Sequence, residues 1–266
     1  MICAGVDAGS RTIKGVLLDA DGTEILVSRV LDQGVDQAAR ARRLYEQMLG
    51  EDGVSEVEVS SVVATGYGRK LVDFADRTIT EITCHARGVR HLVPDVSSII
   101  DIGGQDSKFI ELDPDGRVRD FAMNDRCAAG TGCFLEVVAS RLEVDLAELG
   151  RMALKSDEPA SISSMCVVFA ETEIIGLLAG GATPEDVAAG VQRSIASRIS
   201  SMAGGDVRAP VVFTGGVAMI PGVDRALESV LGQEVQIAPR PQITGALGAA
   251  LLARESAMET HARDLE

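Results

Sequence analysis

Residues 5–22 read GVDAGSRTIKGVLLDADG, and residues 100–116 repeat their pattern as IDIGGQDSKFIELDPDG. Seven positions of the first copy recur at one constant offset of 94 residues: Asp7, Gly9, Lys14, Leu18, Asp19, Asp21 and Gly22. Each copy has an apolar strand ending in Asp, a glycine turn, a second strand and a tight Asp-Gly turn, which is the pattern of a β-hairpin. Two hairpins of equivalent chemistry predict two equivalent lobes.

Composition and charge limit the classes of protein to which this chain can belong. The 266 residues hold 25 Lys and Arg against 40 Asp and Glu, a formal net charge of −15. Such a chain repels phosphate backbones and anionic lipids, so we expect no nucleic-acid and no membrane partner. The N-terminal stretch lacks a basic, cleavable leader, which predicts a cytoplasmic protein whose five cysteines are reduced thiols or metal ligands.

Strand and helix patterns alternate along the chain, which predicts an α/β fold. Helices are expected at 35–49, at 80–94, from Cys133 with a break near Val144, after Cys166 and from Thr183. Residues 209–223 are expected to form a buried strand that runs into a double-glycine turn. We assign residues 1–96 to a first lobe and 97–241 to a second, with a C-terminal helix at 242–262 packing back on the first.

The two hairpin turns carry the chemistry. An Asp at a strand end followed by Gly-x-x-x-x-Lys fits a phosphate loop whose carboxylate holds Mg²⁺ through water. The alternative is that Asp-x-Gly only makes a turn, since these are common turn residues. Two copies and a third glycine turn at Gly215 and Gly216 favour an ATP site. Neither copy has the spacing of a Walker A loop or of a dinucleotide fingerprint.

The repeat resembles the duplicated actin/hexokinase/Hsp70-like (ribonuclease H-like) ATPase fold, in which two lobes enclose a nucleotide cleft. That resemblance makes DAGSRTIK (7–14) and DIGGQDSK (101–108) the phosphate loops and FTGGVAMIPG (213–222) the adenosine loop. It implies that Asp7 and Asp101 organise Mg²⁺ and water, and that Gln105 polarises the attacking water. The remaining nucleotide-binding positions that it implies are Gly9, Ser10, Arg11, Thr12, Lys14, Gly103, Gly104, Gly215, Gly216, Met219 and Ile220.

Within that fold, three segments resemble a narrower family: NDRCAAGTGCFLE (124–136), ISSMCVVFAETEIIGLLAGG (162–181) and ATGYGR (64–69). They are similar to the reductive activator ATPases of 2-hydroxyacyl-CoA dehydratases and the ATPase subunits of benzoyl-CoA reductase. Members of this family share one 4Fe-4S cluster per homodimer, or per heterodimer of paralogous subunits, with two cysteines from each chain. The matching positions are Cys127 and Cys166. Cys133 departs from the pattern and is either a filler on a helix face or an alternative ligand.

The positions of Cys127 and Cys166 do not by themselves decide between a metal site and a packing role. Cys127 and Cys166 are 39 residues apart and neither belongs to a CxxC, so one chain has no complete local ligand set. Two chains about a two-fold axis would offer four thiolates. The alternative is that both are small buried hydrophobic residues. If a cluster is bound, the helix that begins after Gly132 is expected to direct its positive end at it.

The resemblance implies a function. A ferredoxin or flavodoxin would supply one electron, and ATP hydrolysis would drive it into a partner iron-sulfur dehydratase or reductase acting on CoA thioesters. Two alternatives remain. The first is a small-molecule kinase of the same fold, with Asp125 as a candidate base, and the second is an actin-like nucleotide switch without a redox centre.

Overall fold

The computed structural model describes residues 2–19, 24–51, 58–163, 166–205 and 207–264. The strands are β1 (Ile2–Ala8), β2 (Thr12–Asp19), β3 (Ile25–Asp32), β4 (Val59–Thr65), β5 (Arg77–Thr78), β6 (Ser98–Ile102), β7 (Ser107–Leu112), β8 (Val118–Asn124), β9 (Val211–Thr214) and β10 (Val235–Ile237). The α-helices are α1 (Gln37–Glu51), α2 (Glu81–Leu92), α3 (Gly132–Arg141), α4 (Leu146–Ala153), α5 (Val167–Ala179), α6 (Pro184–Met202), α7 (Val223–Leu231) and α8 (Thr244–Asp264). No helix within those ranges is long and apolar enough to cross a bilayer.

The chain divides into two compact units. Unit 1 comprises Met1–Pro94, Gly116–Val118 and Gln242–Glu266, and unit 2 comprises Asp95–Asp115 and Arg119–Pro241. The sheet of unit 1 has the strand order β3-β2-β1-β4-β5, and the other sheet has the order β10-β9-β6-β7-β8. The two sheets and their helices confirm the predicted α/β class.

Both predicted hairpins are present and share one register. β1 pairs antiparallel with β2 and places Asp7 opposite Lys14. β6 pairs antiparallel with β7 and places Asp101 opposite Lys108. Strand β4 lies parallel to β1, and β9 lies parallel to β6. The tight turn predicted at Asp21 and Gly22 falls outside the described residues.

The helix boundaries follow local sequence signals. The predicted break near Val144 is confirmed, since α3 ends before Leu142, Glu143 adopts a φ of 57°, and Asp145 caps α4 by accepting the Glu148 N–H at 2.6 Å. The start of α6 is confirmed too, with Thr183 as cap and Pro184 in the first turn.

Helix α8 packs closely on unit 1, against β1, β4 and α2. Glycines make that approach possible, because a Cβ on Gly248 would collide with the backbone carbonyl of Cys84 on α2. Apolar side chains of α8, including Leu247 and Leu251, then fill one face of the sheet. Leu44 and Met48 of α1 fill the other face.

Substituting Gly248→Ala is therefore expected to destabilise unit 1 by about 2 kcal/mol or more, because rigid backbone must move to admit the methyl group. Thermal unfolding measures this effect. Gly50→Ala, in α1 with open space around its Cβ position, is the matched control. It should be neutral or stabilising by up to about 1 kcal/mol, and equal losses in both variants would contradict the packing account.

Candidate functional site

The first candidate phosphate loop follows β1. Asp7 is buried at the strand end, and Lys14 Nζ lies 3.2 Å from its Oδ2 atom. The turn between them is closed by the Gly9 N–H, which donates to the Thr12 carbonyl at 3.1 Å. Ser10 and Thr12 are half-buried, and Arg11 is exposed. The loop thus presents hydroxyl groups and backbone amides beside an ion pair whose charges cancel.

The second loop holds a different charge arrangement. Lys108 is only 1% exposed, and its Nζ lies 3.0 Å from Asp101 Oδ2 and 2.6 Å from Asp106 Oδ2. Gly103 donates its N–H to the Asp106 carbonyl at 2.9 Å, which closes the turn, while Gln105 is exposed. Asp106 was not among the residues predicted from the sequence. Its signal is the spacing of two residues to Lys108, which puts both side chains on one face of an extended segment.

Residues of the predicted adenosine loop lie against the second phosphate loop. A Cβ on Gly215 would lie 2.7 Å from Asp101 Oδ1, so a larger residue would displace the carboxylate. Gly216 faces open space, and Met219 is 59% exposed. Ile220 is 7% exposed and belongs to the core of unit 2. Of the two predicted apolar lining residues, Met219 is the one with an accessible side chain.

Helix α3 begins on the second candidate phosphate loop. Its Gly132 N–H donates to the Gly103 carbonyl at 2.9 Å, and its Cys133 N–H donates to the Gly104 carbonyl at 2.8 Å. These two N–H groups are therefore not available to a metal cluster, and the expectation that the positive end of the helix faces one stays a prediction. They are occupied because helix N-terminal amides take the nearest acceptors, here loop carbonyls.

The five cysteines divide by burial. Cys3 and Cys84 are fully buried, and burial raises the pKa of Cys84 to about 12 and that of Cys3 above its usual value. Both thiols therefore stay protonated, as expected for packing residues. Cys133 is half-buried, whereas Cys127 and Cys166 are exposed. Exposure excludes the interpretation of Cys127 and Cys166 as buried fillers.

The backbone fixes both exposed cysteines at the start of helical turns. The Asn124 side chain accepts the Cys127 N–H at 3.0 Å and donates to the Cys127 carbonyl at 2.8 Å. Cys166 is the N-cap residue of α5, and its carbonyl accepts the Ala170 N–H at 2.9 Å. In the described part of the chain, no three His, Cys, Asp or Glu side chains cluster as a metal site. One chain accordingly offers an incomplete ligand set.

A further turn lies against Asp7, from a motif to which the sequence analysis gave no role. Gly66, with a φ of 88°, follows β4, and a Cβ there would collide with Asp7 Oδ1. The Gly68 N–H donates to the Ala8 carbonyl at 2.8 Å. The Gly-Tyr-Gly sequence was the signal, because such turns permit close backbone approach.

These features agree with the comparisons to known proteins. Residues 4–253 match the model of the BadF/BadG/BcrA/BcrD ATPase family. The chain belongs to this family. This ATPase is 44% identical over 261 residues to the 2-hydroxyisocaproyl-CoA dehydratase activator of Clostridioides difficile, covering 98% of this chain and 97% of that protein. It is 33% identical over 260 residues to one of the subunits of the benzoyl-CoA reductase of Thauera aromatica, covering 94% of this chain and 92% of that protein.

Solved structures agree with the family assignment. The activator of the 2-hydroxyisocaproyl-CoA dehydratase from Clostridium difficile, with bound ADPNP, superimposes with a TM-score of 0.93 at 43% identity. The match covers 99% of this chain and 98% of that one. A ROK hexokinase from Thermus thermophilus, at 16% identity and a TM-score of 0.54 over 97% of this ATPase and 100% of that chain, shares the fold alone. The predicted actin/hexokinase-like ATPase fold is confirmed.

Proposed function

We propose that this ATPase is an ATP-driven activator that delivers single electrons to a partner 2-hydroxyacyl-CoA dehydratase. The observation that carries the proposal is an exposed cysteine pair, Cys127 and Cys166, in a chain 44% identical to a dehydratase activator. The lower identity of 33% to the reductase component favours a dehydratase over a reductase as the partner.

The chain's own residues would handle ATP as follows. Asp7 and Asp101 are buried at strand ends, where each carboxylate would orient Mg²⁺-bound water. Lys14 and the hydroxyls of Ser10 and Thr12 would contact phosphate oxygens, with the amides of Gly9, Gly103 and Gly104. The exposed Gln105 would orient the water that attacks the terminal phosphate. Gly215, Gly216 and Met219 would hold the adenosine.

The start of α3 offers a route from the phosphates to Cys127. Gly103 and Gly104 would sense the phosphates, and their carbonyls accept the first two amides of α3. Cys127 lies five residues before that helix, in a segment that folds as a short 3₁₀ turn at Ala128–Gly130. A shift of the loop on hydrolysis would therefore move the backbone next to Cys127.

The thiols fit a shared 4Fe-4S cluster. Cys127 and Cys166 are exposed, and a second copy of the chain would bring the total to four sulfur ligands. When bound, such a cluster supplies one-electron chemistry, and a ferredoxin or flavodoxin is the proposed donor. The role of the chain is to hold two of the four sulfur ligands on helix starts.

An apolar face of α5 supports self-association beside Cys166. Val168 is 70% exposed, Phe169 71% and Ile175 40%. Thr172, Gly176 and Ala179 complete an exposed face without charge. Exposed apolar patches on one helix side are typical of protein interfaces. We propose that a second copy covers this face.

The substitution Ile175→Glu is expected to yield a monomer that lacks iron and still binds ATP. Glu favours a helix more than Ile, so α5 should persist while a charge enters the interface. Light scattering and iron analysis on anaerobic protein measure the effect. Met258→Glu, at an apolar position on α8 that is 52% exposed, is the control and should remain dimeric. A dimer in the Ile175→Glu protein would contradict the assignment of this face.

Activation of a dehydratase tests the proposal as a whole. Anaerobic protein, a low-potential reductant and Mg-ATP are added to an inactive 2-hydroxyacyl-CoA dehydratase, and dehydration of the CoA ester is followed. We expect activation with ATP and none with non-hydrolysable ADPNP. Electron delivery without ATP hydrolysis would contradict the proposed function. Failure to activate any 2-hydroxyacyl-CoA dehydratase would contradict it as well.

A further inference from the structure

The turn after β4 leaves the same end of the sheet as the first phosphate loop. β4 lies parallel to β1, and Thr65 is the register partner of Asp7. In α/β sheets, ligands bind where the carboxyl ends of parallel strands meet. Residues 66–69 are therefore placed beside the group that the proposed function assigns to Mg²⁺.

Two contacts fix this turn against the phosphate loop. A Cβ on Gly66 would collide with Asp7 Oδ1 and would lie 2.6 Å from the Ala8 carbonyl oxygen. The Gly68 N–H donates to the same carbonyl at 2.8 Å. The turn and the loop therefore form one surface. The side chains of the turn are attached directly beside the loop.

Arg69 is the cation that this turn supplies. Its Nη1 donates to the Gly66 carbonyl at 2.9 Å, which folds the half-buried side chain back over the turn. That carbonyl is its sole hydrogen-bond partner among the residues that the structure describes, and within them no carboxylate lies within 4.0 Å of the guanidinium. A guanidinium has five N–H donors, so most of them are available to a ligand.

The charge of the first loop leaves its lysine unavailable as a free cation. Lys14 is paired with Asp7, so the charges of that ion pair cancel. A nucleotide triphosphate adds further negative charge, which an arginine binds through a two-pronged hydrogen bond.

We propose that Arg69 contacts the terminal phosphate of the bound nucleotide and is a further catalytic residue of this ATPase. The inference rests on the proposed placement of ATP over Asp7. The Gly66 carbonyl holds the guanidinium in place beforehand, so a contact to the phosphate costs little side-chain entropy. The terminal phosphate carries the charge that develops on hydrolysis, so the same contact would also accelerate turnover.

Binding of Mg-ADPNP and Mg-ADP, measured by calorimetry on anaerobic full-length protein, tests the inference. In Arg69→Gln, the affinity for ADPNP should fall about tenfold or more, while the affinity for ADP stays within about twofold. Lys70→Gln, the same charge change at the exposed neighbouring position, is the control and should alter neither affinity. Thermal unfolding of each variant verifies folding.

Arg69→Lys is the second variant, because it retains a charge and a donor for the Gly66 carbonyl but lacks the fork. This variant should lower the affinity for ADPNP and leave the affinity for ADP unchanged. It provides the test even if Arg69→Gln folds poorly. Unchanged affinities in a folded Arg69→Gln protein, or equal losses for ADPNP and ADP, would overturn the inference. Failure of the unsubstituted protein to bind either nucleotide would instead overturn the proposed ATP site.

Discussion

Replacing Asp101 by Asn is expected to lower the rate of ATP hydrolysis at saturating Mg-ATP by about a hundredfold or more. The carboxylate is 2% exposed at the end of β6 and lies against the Gly215 turn, so Asn fits its space. Asn keeps an oxygen but loses the charge that would orient Mg²⁺-bound water. Steady-state phosphate release measures the effect, and ADP affinity should change far less than turnover.

Asp106→Asn is the matched control, because Asp106 shares Lys108 with Asp101. Each substitution leaves Lys108 with one carboxylate partner, so the two variants should lose similar stability. Only Asp101→Asn should lose turnover. Near-normal hydrolysis in Asp101→Asn, or equal losses in both variants, would refute the catalytic assignment of Asp101.

The second large effect concerns the cysteine pair. Cys127→Ser and Cys166→Ser should each abolish the visible absorption and the bound iron of anaerobic protein. The hydroxyl of Ser does not ionise at neutral pH as a thiol ligand must, while its size keeps the helix starts intact. ADP binding should persist, since neither cysteine belongs to the phosphate loops. Iron analysis with ADP titration on the same preparations measures both properties.

Cys133→Ser provides the control for this pair. Cys133 is half-buried, and its backbone N–H is held by the Gly104 carbonyl. Iron content should therefore be unchanged in this variant. Iron loss on substituting Cys133, together with retention in either Cys127→Ser or Cys166→Ser, would show that the ligand set contains a different sulfur.

The two hairpins could be predicted because they depend on local spacing. Asp7 and Lys14 are seven residues apart across a short turn, and antiparallel pairing places them opposite each other. The same spacing recurs in Asp101 and Lys108. The sequence therefore predicted two strand-end carboxylates correctly, although it gave Lys14 to the phosphates and overlooked its pairing with Asp7.

The remaining contacts are tertiary and have no local signal. Gly66 meets Asp7 only because the parallel strands β1 and β4 end side by side in the sheet of unit 1. Gly132 meets Gly103 only because α3 starts beside the loop that follows β6 in unit 2. Edge strands such as β8, whose residues are largely exposed, lack the apolar alternation that marks a strand in sequence. Exposure of Cys127 and Cys166 also depends on packing, so burial and metal binding could not be separated before the fold was known.

Iron and acid-labile sulfide per protomer, measured on anaerobically purified protein with its mass by light scattering, test the central claim most directly. A shared 4Fe-4S cluster predicts about two irons and two sulfides per protomer in a dimer, since two chains supply the four thiolates. A protein that binds ATP, has never met oxygen and contains no iron would contradict the account. So would a monomer carrying about four irons per chain.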